Sequence, residues 1–198
     1  MYADHLTAEL PDAAGRQWFE LRTELVAGQV LYLAGATEPV PDVQRARRVA
    51  VLKSGRYTVL RPLLLGAAPA GSEAPVGPFQ VYGEALGEAF QLRDDLIDAF
   101  GDRSAGGKPG GQDLRRARMT LLLSIAVQED EEIRRLVRDG RTADLSERLA
   151  ASGARAAVEA RITALADRAR AAVSTPAVAP AWQRELARYA ARTAHRER

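Results

Sequence analysis

The chain has 198 residues, enough for one domain with a hydrophobic core, and 46% of its residues are hydrophobic. Its 28 basic and 26 acidic residues nearly balance, and the absence of cysteine excludes disulfides, thiolate metal sites and cysteine nucleophiles. No apolar run is long enough to cross a bilayer, and the amino terminus lacks the basic start and apolar stretch of a signal peptide. We therefore expect one soluble, cytoplasmic domain over residues 1–198, without a transmembrane segment.

Alanine, leucine and arginine dominate, and apolar residues recur at spacings of three and four almost everywhere, which predicts an all-α fold without strands. The first long helix is predicted from about Asp12 to about Gly35. Its inward-facing residues are predicted to be Trp18, Leu21, Leu25 and Val26. A second helix is predicted to begin at Pro41, a good first-turn residue, and to kink at Pro62, whose ring removes a backbone donor.

The later helices are separated by glycine and proline residues. A loop from Pro69 to Pro78 precedes a third helix, predicted over residues 81–100. After a glycine-rich segment at 106–111, a fourth helix is predicted over residues 112–128. Shorter helices follow, with the breaks at Gly140, Gly153, Pro176 and Pro180.

Three aspartates on the third helix carry the clearest chemical signal. Asp94 and Asp98 are four residues apart, so on a helix they project from one face and can share a hard cation through oxygen. The neighbouring residues are apolar, and carboxylates in such surroundings repel one another and lose hydration unless a cation compensates. A pair of aspartates is also common on a solvated helix face. The metal interpretation gains from Lys108, which follows in the glycine-rich segment and would complete a site for a diphosphate.

The run from Phe90 to Asp102, continued by Gly107-Lys108-Pro109 and Asp113-Leu114, resembles the second aspartate-rich motif of the trans-isoprenyl (polyprenyl) diphosphate synthases. Lys53-Ser54 resembles the family's Lys-Thr element, and Ala27-Gly28-Gln29 resembles its Gly-Gln element on the preceding helix. All stand in the family's order. The resemblance implies a helical bundle of the isoprenoid synthase type with its site between facing helices.

In that family an allylic diphosphate ionises and the carbocation is attacked by isopentenyl diphosphate, which lengthens the chain by one isoprene unit. Magnesium ions and basic residues neutralise the charge of the departing diphosphate. The resemblance, which covers about residues 18–123, implies that Phe90 faces the hydrocarbon chain. The other implied residues are Asp94 and Asp98 for Mg²⁺, with Asp95 in support; Lys53, Lys108 and Arg118 for the diphosphate; and Lys53, Gln29 and Gln91 at the reacting centre.

The sequence also departs from the family. The earlier aspartate-rich motif with its arginine pair, and the Gly-Lys-x-x-Arg element that binds isopentenyl diphosphate, do not occur in these 198 residues. Tyr32 stands where the family usually has an aspartate, and Ala117-Arg118 stands in place of a Gly-Lys pair. We therefore expect a single partial isoprenoid-synthase domain that lacks the amino-terminal helices. It would hold the magnesium and diphosphate half of the site, with weak or no activity alone.

Other functions are open at this stage. Without the amino-terminal helices the pocket would lack one wall, and the apolar faces packed against it would be exposed. Tyr32 and this missing wall favour a non-catalytic partner or regulator of a full-length synthase, and the exposed apolar faces predict a homodimer or a heteromer with a synthase subunit. A terpene cyclase also uses aspartate-rich helices and Mg²⁺, but its later Asn/Ser/Glu metal motif is not found after Asp98. A nucleic-acid partner is not expected, because the sequence has no basic block interleaved with aromatic residues.

Overall fold

The structure is a computed structural model that describes residues 2–7, 9–35, 42–71, 75–100 and 120–196. Its α-helices are α1 (Tyr2–Thr7), α2 (Asp12–Gly35), α3 (Val43–Ala50), α4 (Arg61–Ala67), α5 (Val76–Phe100), α6 (Leu121–Glu129), α7 (Glu131–Arg138), α8 (Thr142–Ala151), α9 (Ala154–Val173) and α10 (Pro180–His195). A π-helix, Val51–Leu60, joins α3 to α4, and a 3₁₀ turn, Ala68–Ala70, follows α4. The all-α prediction is confirmed, since every regular element within these ranges is a helix. None of them combines the length and apolarity that a membrane span requires.

Helix α2 begins and ends at the predicted residues, but one of its predicted core positions is wrong. Leu21 is buried, and Trp18 and Leu25 are half-buried, whereas Val26 is 62% exposed. Gly28, two residues further on, packs against Leu52 and Lys53 of the π-helix. Val26 therefore projects from a face of α2 that the described part of the chain leaves uncovered.

Prolines and polar caps place several helix ends away from the predicted residues. Helix α3 starts at Val43 because the side chain of Asp42 accepts a hydrogen bond from the Gln44 backbone N–H at 2.8 Å. Helix α5 begins at Val76, five residues early, because Pro78 fits a first turn, where its missing N–H is no loss. Next to Pro62 the chain changes from π-helix to α-helix, because the π-helix ends at Leu60 and α4 starts at Arg61.

The predicted fourth helix does not run unbroken through Thr120. This residue is extended (φ −72°, ψ 155°), and its hydroxyl accepts a hydrogen bond from the Leu123 N–H at 3.1 Å, so it caps a new helix, α6. The first part of the predicted helix, residues 112–119, lies outside the described residues. Beyond α6 the breaks fall as predicted, and Gly140 adopts a left-handed φ of 68° that glycine accommodates without strain.

Helix α5 is the centre of the described fold. The π-helix packs on one part of its surface and α9 on another, with further contacts from α6 and α10. The hydroxyl of buried Tyr82 donates to the Leu186 carbonyl of α10 at 2.8 Å. Large side chains along α5 are fully buried, including Tyr82, Leu86 and Leu92. The aspartates of α5 are thus carried on the helix with the most tertiary support.

The π-helix and α5 meet backbone to backbone through glycines. A Cβ atom on Gly87 would lie 1.8 Å from the Gly55 Cα, and one on Gly83 would lie 2.5 Å from the Leu60 Cβ. Five positions separate Gly55 from Leu60 on the π-helix, whereas four separate Gly83 from Gly87 on α5. One wide π turn therefore faces one α turn, and the two helices stay in register along the contact.

A partly buried ion-pair network joins α2 to the same region. The Arg61 guanidinium donates to both carboxylate oxygens of Glu24, at 2.8 and 2.6 Å, and to Gln17 Oε1 at 2.7 Å. Arg56 also donates to Glu24, and to Glu84 of α5 at 3.2 Å. Burial raises the pKa of Glu24, but the hydrogen bonds from the two arginines outweigh it and hold the pKa below its usual value. The network therefore fixes α2 and α5 on either side of the π-helix.

The glycine contact can be tested by adding one methyl group. We expect Gly87→Ala to lower the free energy of unfolding by about 1–3 kcal/mol or more, because two backbones must separate. The matched control is Gly66→Ala at an exposed position of α4, where an added Cβ meets nothing within 4 Å. That control should be neutral or stabilising by up to about 1 kcal/mol. Urea unfolding followed by circular dichroism measures both, and equal stabilities of the two variants would contradict the contact.

Candidate functional site

The three aspartates of α5 occupy two different environments. Asp94 and Asp98 are half-buried and, four residues apart, share one face of the helix. Asp95 is buried. The structure thus separates the outer pair of carboxylates from the middle one, and only the outer pair borders solvent.

Asp95 ends a chain of hydrogen bonds that links three helices. The Ser54 hydroxyl of the π-helix donates to Gln91 Oε1 at 2.5 Å, and Gln91 Nε2 donates to Asp95 Oδ1 at 2.8 Å. The second oxygen, Asp95 Oδ2, accepts from the Leu122 backbone N–H at 3.1 Å, in the first turn of α6. Burial raises the pKa of Asp95 to about 7, although the hydrogen bonds from Gln91 and Leu122 act to lower it. This Ser54–Gln91–Asp95 relay ties the aspartates to the turn that carries Lys53.

Lys53 lies against α2 at the position of Gly28. A Cβ on Gly28 would come within 2.8 Å of the Lys53 Cγ, so the stem of the lysine passes where a larger residue would clash. Its ammonium lies 4.2 Å from the centroid of the Tyr32 ring, one helical turn further along α2. Tyr32 thus offers Lys53 a cation–π contact at the position where the aspartate is expected.

Asp94 contacts a residue from the far end of the chain. The Arg196 guanidinium, just beyond α10, donates to Asp94 Oδ1 and stacks on the ring of Phe90 at 4.2 Å from its centroid. Burial raises the pKa of Asp94 above its usual value, and the ion pair with Arg196 offsets part of that rise. A basic side chain therefore neutralises one of the outer carboxylates.

The carboxylate oxygens of Asp94 and Asp98 can bind a magnesium ion only together with further ligands. Asp94 and Asp98 offer hard carboxylate oxygens, whereas both oxygens of Asp95 accept protein hydrogen bonds. Within the described ranges, no cluster of three or more acidic or histidine side chains forms a complete metal site. Magnesium ions bind through one or two carboxylates together with water and substrate phosphates. The outer pair of aspartates fits that requirement.

The structure describes two of the four other site residues proposed from the sequence. Gln91 lies in the relay, and Gln29 is exposed on α2, one residue beyond the Gly28 contact. Lys108 and Arg118 lie outside the described residues, so their roles stay predictions.

Two residues with clear contacts were missed by the sequence reasoning. Ser54 was part of a recognised motif but received no role, although its hydroxyl starts the relay. Arg196 lies 102 positions from its partner Asp94, and a single arginine after a helix gives no local signal of such a contact. Its role can only be read from the tertiary structure.

Comparison with known proteins finds one matching family and several relatives that share part of the sequence. The family described as polyprenyl synthetase matches residues 9–151. The nonaprenyl diphosphate synthase of Mycobacterium tuberculosis is 29% identical over 127 residues, which are 64% of this chain and 38% of that protein. Heptaprenyl diphosphate synthase component 2 of Geobacillus stearothermophilus is 33% identical over 107 residues, 52% of this chain and 33% of that protein. The chain thus aligns with less than half of each relative.

A solved structure supports the same grouping. Geranylgeranyl pyrophosphate synthase from Corynebacterium glutamicum, in complex with isoprenyl diphosphate and magnesium, superposes with a TM-score of 0.84 at 33% identity. The superposition covers 96% of this chain but 57% of that one.

The buried Asp95 predicts a pH dependence of stability. Its pKa is about 7 in the folded protein and about 3.9 in an unfolded chain, so between these values the folded state binds more protons. We expect the free energy of unfolding to fall as pH rises from about 4 to about 7, by up to about 4 kcal/mol, and then to level off. Asp95→Asn removes this titration and should flatten the profile.

Urea unfolding at about pH 5, 6 and 8 measures this profile. Asp139→Asn, at an exposed carboxylate, is the matched control and should leave the slope unchanged. An identical slope in parent and Asp95→Asn would contradict the assignment.

Proposed function

This chain belongs to the polyprenyl synthetase family, and from that premise we propose that it holds the magnesium and diphosphate half of a prenyltransferase site. The proposed substrates are an allylic isoprenyl diphosphate and isopentenyl diphosphate, and the proposed cofactor is Mg²⁺. The observation that carries this proposal is the relay from Ser54 through Gln91 to Asp95. It joins the turn of Lys53 to the turn of Asp94, so a lysine and a carboxylate pair are supported around one site.

Each residue has a distinct task in this proposal. Asp94 and Asp98 hold the metal ion, which when bound would supply the positive charge that stabilises a departing diphosphate. Lys53 donates hydrogen bonds to diphosphate oxygens, and its contact with Gly28 and Tyr32 limits the positions that the ammonium can reach. Asp95 supports the site by fixing Gln91 and the start of α6. Lys108 and Arg118 are proposed as further diphosphate ligands.

The proposal covers half of the reaction site. Family members carry two aspartate-rich motifs, and the 198 residues contain one. We propose that efficient elongation requires a second set of carboxylates from outside residues 1–198, and that this chain alone is weakly active or inactive.

A second candidate is a subunit that pairs with a catalytic synthase. It is favoured by the likeness to component 2 of a heptaprenyl diphosphate synthase and by Tyr32, which adds no carboxylate to the site. It is also favoured by an apolar stripe on α2. The stripe consists of the exposed residues Phe19, Val26, Val30 and Leu33. Their spacing of seven, four and three places them on one helix face, as in helices that pair.

The diphosphate site can be tested by binding. Asp94→Ala should weaken the magnesium-dependent binding of inorganic pyrophosphate by about tenfold or more, because one carboxylate ligand is lost. Lys53→Ala should weaken pyrophosphate binding in the same assay by removing a donor. Asp167→Ala, at an exposed aspartate of α9, is the matched control and should bind like the parent. Isothermal titration calorimetry measures these affinities.

Two outcomes would contradict parts of this assignment. Undiminished binding by Asp94→Ala would remove the aspartate site. Efficient conversion of an allylic diphosphate and labelled isopentenyl diphosphate by this chain alone would refute the half-site proposal.

The apolar stripe predicts self-association or pairing with a synthase subunit. We expect Val30→Asp to convert a dimer of this chain to a monomer, because a charge would be buried in the seam between two helices. Ala164→Asp places the same charge on an exposed face of α9 and should leave the mass unchanged. Light scattering after size-exclusion chromatography measures the mass. A parent chain that is monomeric alone and with a synthase subunit would contradict the interface.

A further inference from the structure

Arg196 contacts one carboxylate oxygen of Asp94, a proposed metal ligand. Phe90 and Asp94 are one helical turn apart on α5, so a single guanidinium spans both: it donates to Asp94 Oδ1 and lies 4.2 Å from the Phe90 ring centroid. The contact joins the carboxyl-terminal end of α10 to the aspartate helix. It combines an ion pair with an aromatic face, two interactions that act on the same group.

The end of α10 is anchored, so Arg196 is delivered to this place by the fold. Arg93 of α5 donates to both oxygens of Glu159 on α9, at 2.9 and 2.6 Å. The same guanidinium donates to the Ala194 carbonyl, two residues before Arg196. Thr193 and Ala194 are themselves buried. The approach of Arg196 to Asp94 therefore follows from a fixed backbone.

The Arg196 side chain can also leave Asp94. Side-chain exposure is 28% for Arg196 and 45% for Asp94, so solvent screens the ion pair. The Arg196 Nε is buried without a hydrogen-bond partner in the described part of the chain, which is a cost of the docked position. A cleft of about 440 Å³, lined in part by Phe100, Arg155 and His195, opens beside the guanidinium. The side chain has room to move away from Asp94.

We propose that Arg196 is an internal counter-ion of Asp94 that competes with the metal ion and so sets the metal affinity of the site. This inference rests on the proposed function, because it takes Asp94 as a metal ligand. The guanidinium already neutralises the charge of Asp94 through Oδ1, and it repels a divalent cation that binds to the same carboxylate. Metal binding and the contact between Arg196 and Asp94 therefore weaken each other.

The test is a titration with Mn²⁺ alone, in which electron paramagnetic resonance reports the free ion. Arg196→Gln should bind Mn²⁺ about tenfold more tightly than the parent, since a screened ion pair and a cation–π contact no longer compete. Phe90→Leu, which keeps both charges, should tighten binding by a smaller factor. Arg192→Gln removes one positive charge from an exposed position one turn earlier and is the matched control. It should bind within about twofold of the parent, because solvent and salt screen its charge.

The variants separate this inference from the proposed function. If Asp94→Asn abolishes binding but Arg196→Gln matches the parent or the Arg192→Gln control, the competition is refuted and the metal site stands. If no protein shows Mn²⁺ binding that depends on Asp94, both the metal site and the competition are refuted. Thermal unfolding of each variant checks that the fold is retained, and the Phe90→Leu result decides the inference if Arg196→Gln does not fold.

Discussion

The contact between Gly55 and Gly87 is the constraint on which the candidate site depends. It brings the π-helix and α5 together at backbone distance, which no larger side chain at Gly87 would permit. One residue before Gly55 stands Ser54, and one turn after Gly87 stands Gln91, so the hydrogen bond between these side chains continues the same contact. The π turn matters because its extra residue keeps the two helices in register over that distance. The turns that carry Lys53 and Asp94 are joined because two glycines let their helices meet.

Two basic side chains of the candidate site, Lys53 and Arg196, lie against aromatic rings. Lys53 lies over Tyr32, and Arg196 lies over Phe90, each at 4.2 Å. A ring attracts a cation without adding negative charge, so it can position a basic side chain without repelling an anionic diphosphate. A carboxylate in the same position would neutralise the base more strongly and would also repel the substrate. Tyr32 is therefore consistent with a role in positioning Lys53, although it cannot replace an aspartate as a metal ligand.

Local sequence signals predicted the helices well, but they did not predict which helix faces are covered or which distant residues make contact. Helix α2 and the break at Gly140 follow from apolar periodicity and from the need for a left-handed residue, both of which are local. Val26 was misplaced because periodicity shows that a face is apolar but not which faces are covered. The aspartates were recognisable as a motif, whereas the burial of Asp95 and the approach of Arg196 depend on residues 27 and 102 positions away. Contacts of that separation leave no pattern in a single sequence.

The relay explains why a costly buried carboxylate is placed in the middle of the aspartate motif. Serine and glutamine side chains can each donate or accept hydrogen bonds, so by themselves they do not fix the donor and the acceptor in each bond of the relay. Above a pH of about 7 the ionised Asp95 only accepts, which fixes the Gln91 amide and directs the Ser54 hydroxyl towards it. Its other oxygen holds the Leu122 N–H, so the start of α6 is tied to α5. Lys108 and Arg118 lie in the sequence between these two tied helices, so the described residues on either side of them belong to elements that are joined at Asp95.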